Sequence, residues 1–94
     1  MDYHPQPIDT SAVSWPAWLD ELVERLAEHT HDTWAVNKMK KGYRYGPRTD
    51  DQAKTHRDLL PYVKLPEGTK DLDRATAVGT IKALLALGYR IERP

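Results

Sequence analysis

The sequence contains no cysteine, which excludes a disulfide framework and any thiolate zinc site. It has no apolar run near the roughly 20 residues that a membrane-spanning helix needs. No basic, apolar leader opens it, so a soluble, cytoplasmic chain is expected. An excess of one charge is also missing: fourteen Lys and Arg balance fourteen Asp and Glu, and the pI is near 6.9. Generic nucleic-acid binding depends on a positive surface that displaces counterions, so this balance argues against it. Hydrolytic motifs are absent too. The only serines, Ser11 and Ser14, lie outside any Gly-x-Ser-x-Gly turn, and no Gly-rich loop ending in Lys-Ser or Lys-Thr is available for nucleotide phosphates. The sequence reads as non-enzymatic and without a cofactor, and it shows no internal repeat.

What is present fits one small domain. A chain of 94 residues buries about 60–65% of its unfolded surface, enough for one modest core. Its mean hydropathy of −0.73 would permit disorder, but three Trp, five Tyr and two apolar helical patterns argue for packing. Pro5 and Pro7 forbid a regular helix, so residues 1–13 read as an extended arm laid over the domain, with a turn at Asp9-Thr10-Ser11. A long helix is expected over 15–41, capped by Ser14 or Trp15, with Pro16 in its first turn and Gly42 after its end. At about 100° per residue, Leu19, Leu22, Val23, Leu26 and Thr30 share one face of that helix, with Asp20, Glu21, Glu24, Glu28 and Asp32 outside it. A second, more apolar helix is expected over 69–87, closed by Gly88, with Asp73-Arg74 as a capping and ion-pair feature near its start. The Pro- and Gly-rich stretch between the helices leaves room for short strands near 41–45 and 60–64, and the alternation after Gly88 suggests another at 89–92. The fold class is therefore α+β.

Charge is unevenly placed although it sums to zero. Residues 16–32 hold five acids against Arg25, whereas residues 38–57 hold seven bases against Asp50 and Asp51. Tyr43 and Tyr45 are interleaved with those bases, which suits stacking a ring and neutralising a phosphate. The alternative is a solvated basic loop facing the acidic helix of the same molecule. Trp34 lies at the edge of the first helix's apolar stripe, flanked by His31 and Lys38 on the polar side. It can serve as an amphipathic core residue or as the wall of a cleft. His29 and His31 do not make a metal pair, because two residues apart on a helix they diverge by about 200°. His31 reads instead as the donor or acceptor of one structural hydrogen bond near Trp34, and His56 as a loop residue satisfied by solvent or a carbonyl.

Three segments carry a resemblance: Pro7-Ile8-Asp9-Thr10-Ser11-x-Val13-x-x-Pro16, Leu26-Ala27-Glu28-x-x-His31-Asp32-x-Trp34-Ala35, and Gly42-Tyr43-Arg44-Tyr45-Gly46-Pro47. In order and spacing they resemble the RyR domain, the module repeated in ryanodine receptor calcium channels and also found in small bacterial and phage proteins. The likeness continues through His56, Leu59, Pro61-Tyr62, Leu65-Pro66, Asp73-Arg74 and Leu84-Leu85-Ala86-Leu87-Gly88-Tyr89. Tyr43 stands where the family usually has Trp, His56-Arg57 where it has His-Pro, Leu72 where it has Tyr, and Trp15 where it has Leu. Tyr43 keeps a flat aromatic ring but brings no indole N–H.

The resemblance implies a single-copy, non-enzymatic module of helices and short strands. In the channels such modules form tandem pairs about a pseudo-twofold axis and provide contact surfaces. In at least one pair the cleft accepts an adenine nucleotide, lined by the Trp that matches Trp34. The expectation for this chain is a module that senses an adenine nucleotide or a nucleotide-derived signal. Trp34 and His31 would face a wall made by Tyr43, Arg44 and Tyr45, or by a second subunit's copy of the same elements, with Lys38, Arg44 or Arg48 on a phosphate. A twofold homodimer would reproduce the tandem arrangement. The alternative is a structural protein–protein interaction module with no small-molecule ligand.

Overall fold

Pro16 opens a turn and not a helix. In the computed structural model, which describes residues 2–94, the Leu19 N–H donates to the Pro16 carbonyl at 3.0 Å and the Asp20 N–H to that of Ala17 at 3.1 Å. Helix α1 then runs over Leu19–Lys40. Strand β1 (Arg44–Tyr45), strand β2 (Thr55–His56), a 3-10 turn at Tyr62–Lys64 and helix α2 (Glu67–Ala86) follow. The strands form a two-stranded parallel sheet in the register Arg44 to Thr55 and Tyr45 to His56. The architecture is the α+β arrangement expected. Among the described residues no helix is long and apolar enough to cross a membrane. Met1, the first residue of the expected arm, lies outside the described residues.

Burial on α1 recurs every fourth residue, at Leu19, Val23, Ala27 and His31, the spacing that keeps side chains on one helix face. Leu19 and Val23 meet Ala77 and Ile81 of α2, and Trp15, Leu22, Leu26, Val78, Leu85 and Ile91 close around them. A second cluster joins Ala27 to Tyr62 and Leu65, with Leu60 at its margin. Small Ala27, with no exposed surface, lets the 59–65 segment approach the helix closely. Both helices end as expected, with Gly42 at φ 90° and Gly88 at φ 93°. In each case the next amide reaches back to a carbonyl of the last turn, Tyr43 to Lys38 and Tyr89 to Leu84, both at 3.1 Å. The arm follows α2: Pro7, Ile8 and Thr10 border a groove with Ala75, Thr76, Gly79 and Ala83. Its turn is made by the Ser11 N–H donating to Asp9 Oδ1 at 3.0 Å.

Several boundaries differ from the sequence expectation. Neither Ser14 nor Trp15 caps α1; the cap residue is Trp18, with no side-chain cap bond, and Trp15 instead donates its indole N–H to Asp20 at 2.9 Å. Helix α2 begins at Glu67, two residues early, with Pro66 as its cap residue. Asp73 therefore sits beyond the first turn and is not a cap. The expected strand at 60–64 is the 3-10 turn, because Pro61 starts a tight bend in which the Lys64 N–H bonds the Pro61 carbonyl at 2.9 Å. Residues 89–92 form no strand: the alternation is there, but no partner strand lies alongside, and Ile91 packs into the first apolar cluster. The strand expected near 41–45 exists as β1.

A polar clamp fixes the helix pair. Arg74 Nε and Nη2 donate to the two oxygens of Glu24 at 2.8 and 3.0 Å, and its Nη1 donates to Glu67 and Asp71 at 2.8 and 2.9 Å. Buried Tyr62 adds its hydroxyl to Glu24 Oε1 at 2.8 Å. The guanidinium and this hydroxyl hold the Glu24 carboxyl below its ordinary 4.5. Burial, then the bond to Glu24, pushes the Tyr62 phenol from 10.0 up to about 12. The unfolded chain thus releases the Tyr62 proton near pH 10 and the folded chain near 12, so stability present below pH 10 is lost as pH rises between these values. For Glu24 the sign is opposite, and its contribution is present above pH 4.5 and lost as pH falls below it. Tyr62→Phe is expected to lower unfolding free energy at pH 7 by about 1–2 kcal/mol and to reduce the alkaline loss, while the acid limb shrinks only by the share this hydroxyl holds, the larger share resting on Arg74. Denaturant titrations across pH measure both, and an unchanged alkaline limb would count against the clamp.

Candidate functional site

The C-terminal half of α1 carries a polar and aromatic row where its N-terminal half carries an apolar one. His31 is 4% exposed, and its Nε2 lies 2.7 Å from the Leu60 carbonyl. A carbonyl only accepts, so Nε2 carries the hydrogen. This is the structural hydrogen bond expected of His31. Trp34 follows one turn later, half-buried, and belongs to neither apolar cluster. Its ring neighbours are the imidazoles of His31, at a 5.5 Å centroid distance and 30° tilt, and of His56, at 4.8 Å and 75°. Lys38, a further turn along, holds its ammonium 4.4 Å from the centre of the Tyr43 ring, a cation–π contact.

The segment opposite this row is shaped by short polar devices. Asp50 accepts the amides of Gln52 and Ala53 at 2.9 and 3.3 Å, folding the chain back so that Asp50 and Thr55 exchange backbone bonds at 3.0 Å. Lys54 sits in the left-handed region at φ 55°, and its ammonium donates to the Lys41 carbonyl at 3.0 Å. Thr55 Oγ1 donates to the Arg48 carbonyl at 2.8 Å. Gly46 is obligatory for space: a Cβ there would lie 2.7 Å from the Cβ of Thr55. The Tyr43 hydroxyl donates to Asp51 at 2.8 Å, and that bond raises its pKa above the ordinary value.

The proposed ligand residues are thereby distributed. His31, Trp34 and Lys38 share one face of α1. Tyr43 closes against Lys38 and Asp51. Tyr45 is 52% exposed and paired in register with His56, so those two share one side of the ladder while Arg44 falls on the other. Arg44 and Arg48 are exposed. The expected wall of Tyr43, Arg44 and Tyr45 is thus split between two directions. Among the described residues, none of the ion pairs joins a base of 38–57 to an acid of α1; those pairs belong to Lys70, Arg74, Arg90 and Arg93. Lys38 and Lys54 are held by a π face and a carbonyl, partners that leave their charge unneutralised. His56, expected in a loop and satisfied by solvent or a carbonyl, lies instead in β2 and is satisfied on Nδ1 by a backbone N–H. Its signal was local: two residues before Asp58, its Nδ1 accepts the Asp58 N–H at 3.0 Å, which orients the ring.

The best-formed cavities lie away from the seven proposed ligand residues. A cavity of about 240 Å³ lined by Trp18, Leu22, Arg25 and Ile91 sits at the opposite end of α1. Among the described residues no group of three or more His, Cys, Asp or Glu is placed to hold a metal.

A scan against family models matches the RyR domain over residues 3–93. The chain belongs to the RyR domain family. The match takes in both helices, the ladder and all seven proposed ligand residues of this RyR domain. Because the ladder of this RyR domain closes only around a glycine, Gly46→Ala is expected to lower its stability by about 1–3 kcal/mol and to shift the ring of His56 from Trp34. Thermal melts and the indole fluorescence of Trp34 in a variant lacking Trp15 and Trp18 check this. An unperturbed melt and spectrum would mean that the ladder tolerates a side chain.

Proposed function

We propose that this RyR domain is a non-enzymatic binding module for an adenine nucleotide or a nucleotide-derived signal. The observation that supports it is Trp34: a half-buried indole beside two imidazoles, outside both apolar clusters, next to bases without carboxylate partners. A base stacked on an aromatic ring gains about 1–3 kcal/mol. Lys38, Arg44 and Arg48 supply the charge-assisted donors that a phosphate takes. Tyr45 adds a second exposed ring on the His56 side.

Trp34→Ala tests this reading. The variant is expected to keep a cooperative melt, since neither apolar cluster includes Trp34, and to bind ADP about tenfold more weakly or worse. Calorimetric titration with ADP reads the second outcome and scanning calorimetry the first. If ADP does not bind the wild-type chain, or binds the variant equally well, the reading fails.

We further propose a twofold homodimer in which a second copy covers the open side of this surface, where Arg44 and Tyr45 stand exposed. Light scattering at high micromolar concentration is expected to give twice the chain mass; a monomer would require one chain to hold the ligand alone.

A further inference from the structure

His56 is held in one tautomer. The Asp58 N–H can only donate, and it lies 3.0 Å from His56 Nδ1, so that nitrogen presents a lone pair. The single hydrogen of the neutral ring is therefore on Nε2. That atom has no protein partner among the described residues, whereas every fully buried side-chain nitrogen and oxygen has one, so Nε2 on this half-buried ring is not sealed from solvent. His31 differs, since it is 4% exposed and its Nε2 hydrogen is committed to the Leu60 carbonyl.

The His56 ring stands at 75° to the indole of Trp34 with 4.8 Å between centroids. A planar ring lying on the indole would sit about 3.5–4 Å from it, within reach of a hydrogen bond from an imidazole placed there. Lys38, Arg44 and Arg48 are charged and suit phosphate oxygens, whereas a neutral N–H suits an uncharged acceptor.

We propose that His56 reads the base of the ligand, its Nε2 hydrogen donating to an unprotonated ring nitrogen at the edge of a purine lying on Trp34. This rests on the reading of Trp34 as a stacking surface. Asp58 acts in it as a positioning residue, through its backbone amide alone. The ligand class is narrowed to planar heterocycles that offer an in-plane acceptor.

His56→Asn and His56→Gln separate donating from positioning. The first leaves a side-chain oxygen able to accept the Asp58 N–H and places no donor at the position of Nε2. The second offers an amide N–H near the place of Nε2 and gives up the local acceptor. With His56→Asn, calorimetric titration is expected to show binding of ADP and of adenosine weakened about 3- to 10-fold, with pyrophosphate binding unchanged and the melt retained. His56→Gln is expected to melt earlier yet to hold adenosine more tightly than His56→Asn. Equal affinity of wild type and His56→Asn for ADP, with binding still lost in Trp34→Ala, overturns the donor while sparing the stacking surface. An equal loss for pyrophosphate overturns the assignment to the base. Wild-type protein that binds neither ADP nor adenosine overturns both readings. If His56→Asn loses its cooperative melt, His56→Gln decides: a wild-type preference for adenosine over pyrophosphate supports the donor, and its loss overturns it.

Discussion

The 2.7 Å bond between His31 Nε2 and the Leu60 carbonyl is the contact on which the arrangement of the smaller elements depends. His31 ends a buried stripe that is otherwise apolar, and with Tyr62 it is one of the two buried side chains among the described residues that carry a polar atom. An imidazole is tolerated there because the Leu60 carbonyl lies in irregular backbone and needs a donor. Separating the two would strand both groups, at a cost of about 1–3 kcal/mol for each buried group left unsatisfied. The bond anchors the chain at Leu60, and the consequences run in both directions along it. Toward the C-terminus, Tyr62 and Leu65 are delivered to Ala27, and the Tyr62 hydroxyl to Glu24 and hence to Arg74. Toward the N-terminus, β2 is held near α1, with His56 against Trp34.

The molecule therefore divides along α1. Its N-terminal half is fastened to α2 by aliphatic packing and by the Arg74 clamp, which together supply a core. Its C-terminal half is fastened to a loop by imidazole, indole and cation–π contacts, and by single hydrogen bonds to backbone. Such contacts fix orientation more than they add stability, since each is worth about 1 kcal/mol or less at partial exposure. The local strain is in the same half: Lys54 at φ 55° and the close approach of Gly46 to Thr55. Packing in the first half allows the second to hold conformations chosen for what they present.

What could be read from the sequence was set by local rules. Gly42 and Gly88 end their helices because the backbone there needs a positive φ, and the Asp9 to Ser11 turn is a contact between near neighbours. Arg74 was readable as an ion-pair residue because acids surround it on its own helix, although Glu24 across the helix pair is its bidentate partner. The parallel ladder was not readable. It is two residues long, and its closure depends on the Asp50 side chain and on a missing Cβ at Gly46, neither of which leaves a periodic trace. The breaker-bounded run at 60–64 and the alternation at 89–92 imitated strands, because the tight bend at Pro61 and the lack of a neighbouring strand among the described residues act outside those patterns. The family resemblance supplied the positions of Trp34 and the Tyr43 to Tyr45 segment, but not their division between two faces.

That division gives the uneven charge a physical meaning. A basic loop facing an acidic helix would neutralise itself if its bases reached the acids of α1, and none does among the described residues. Lys38 is over a ring and Lys54 is on a carbonyl, contacts that place a cation without cancelling it. Glu24, the exposed acid on α1 that reaches α2, is taken by Arg74 and Tyr62. A chain of zero net charge thus keeps an excess of bases in residues 38–57, two of which, Lys38 and Lys54, are held by a π face and a carbonyl and not by an acid. Within a Debye length of about 8 Å at physiological salt, the phosphate of the proposed ligand would meet those bases and the acids beside them, and not the balanced total of the chain.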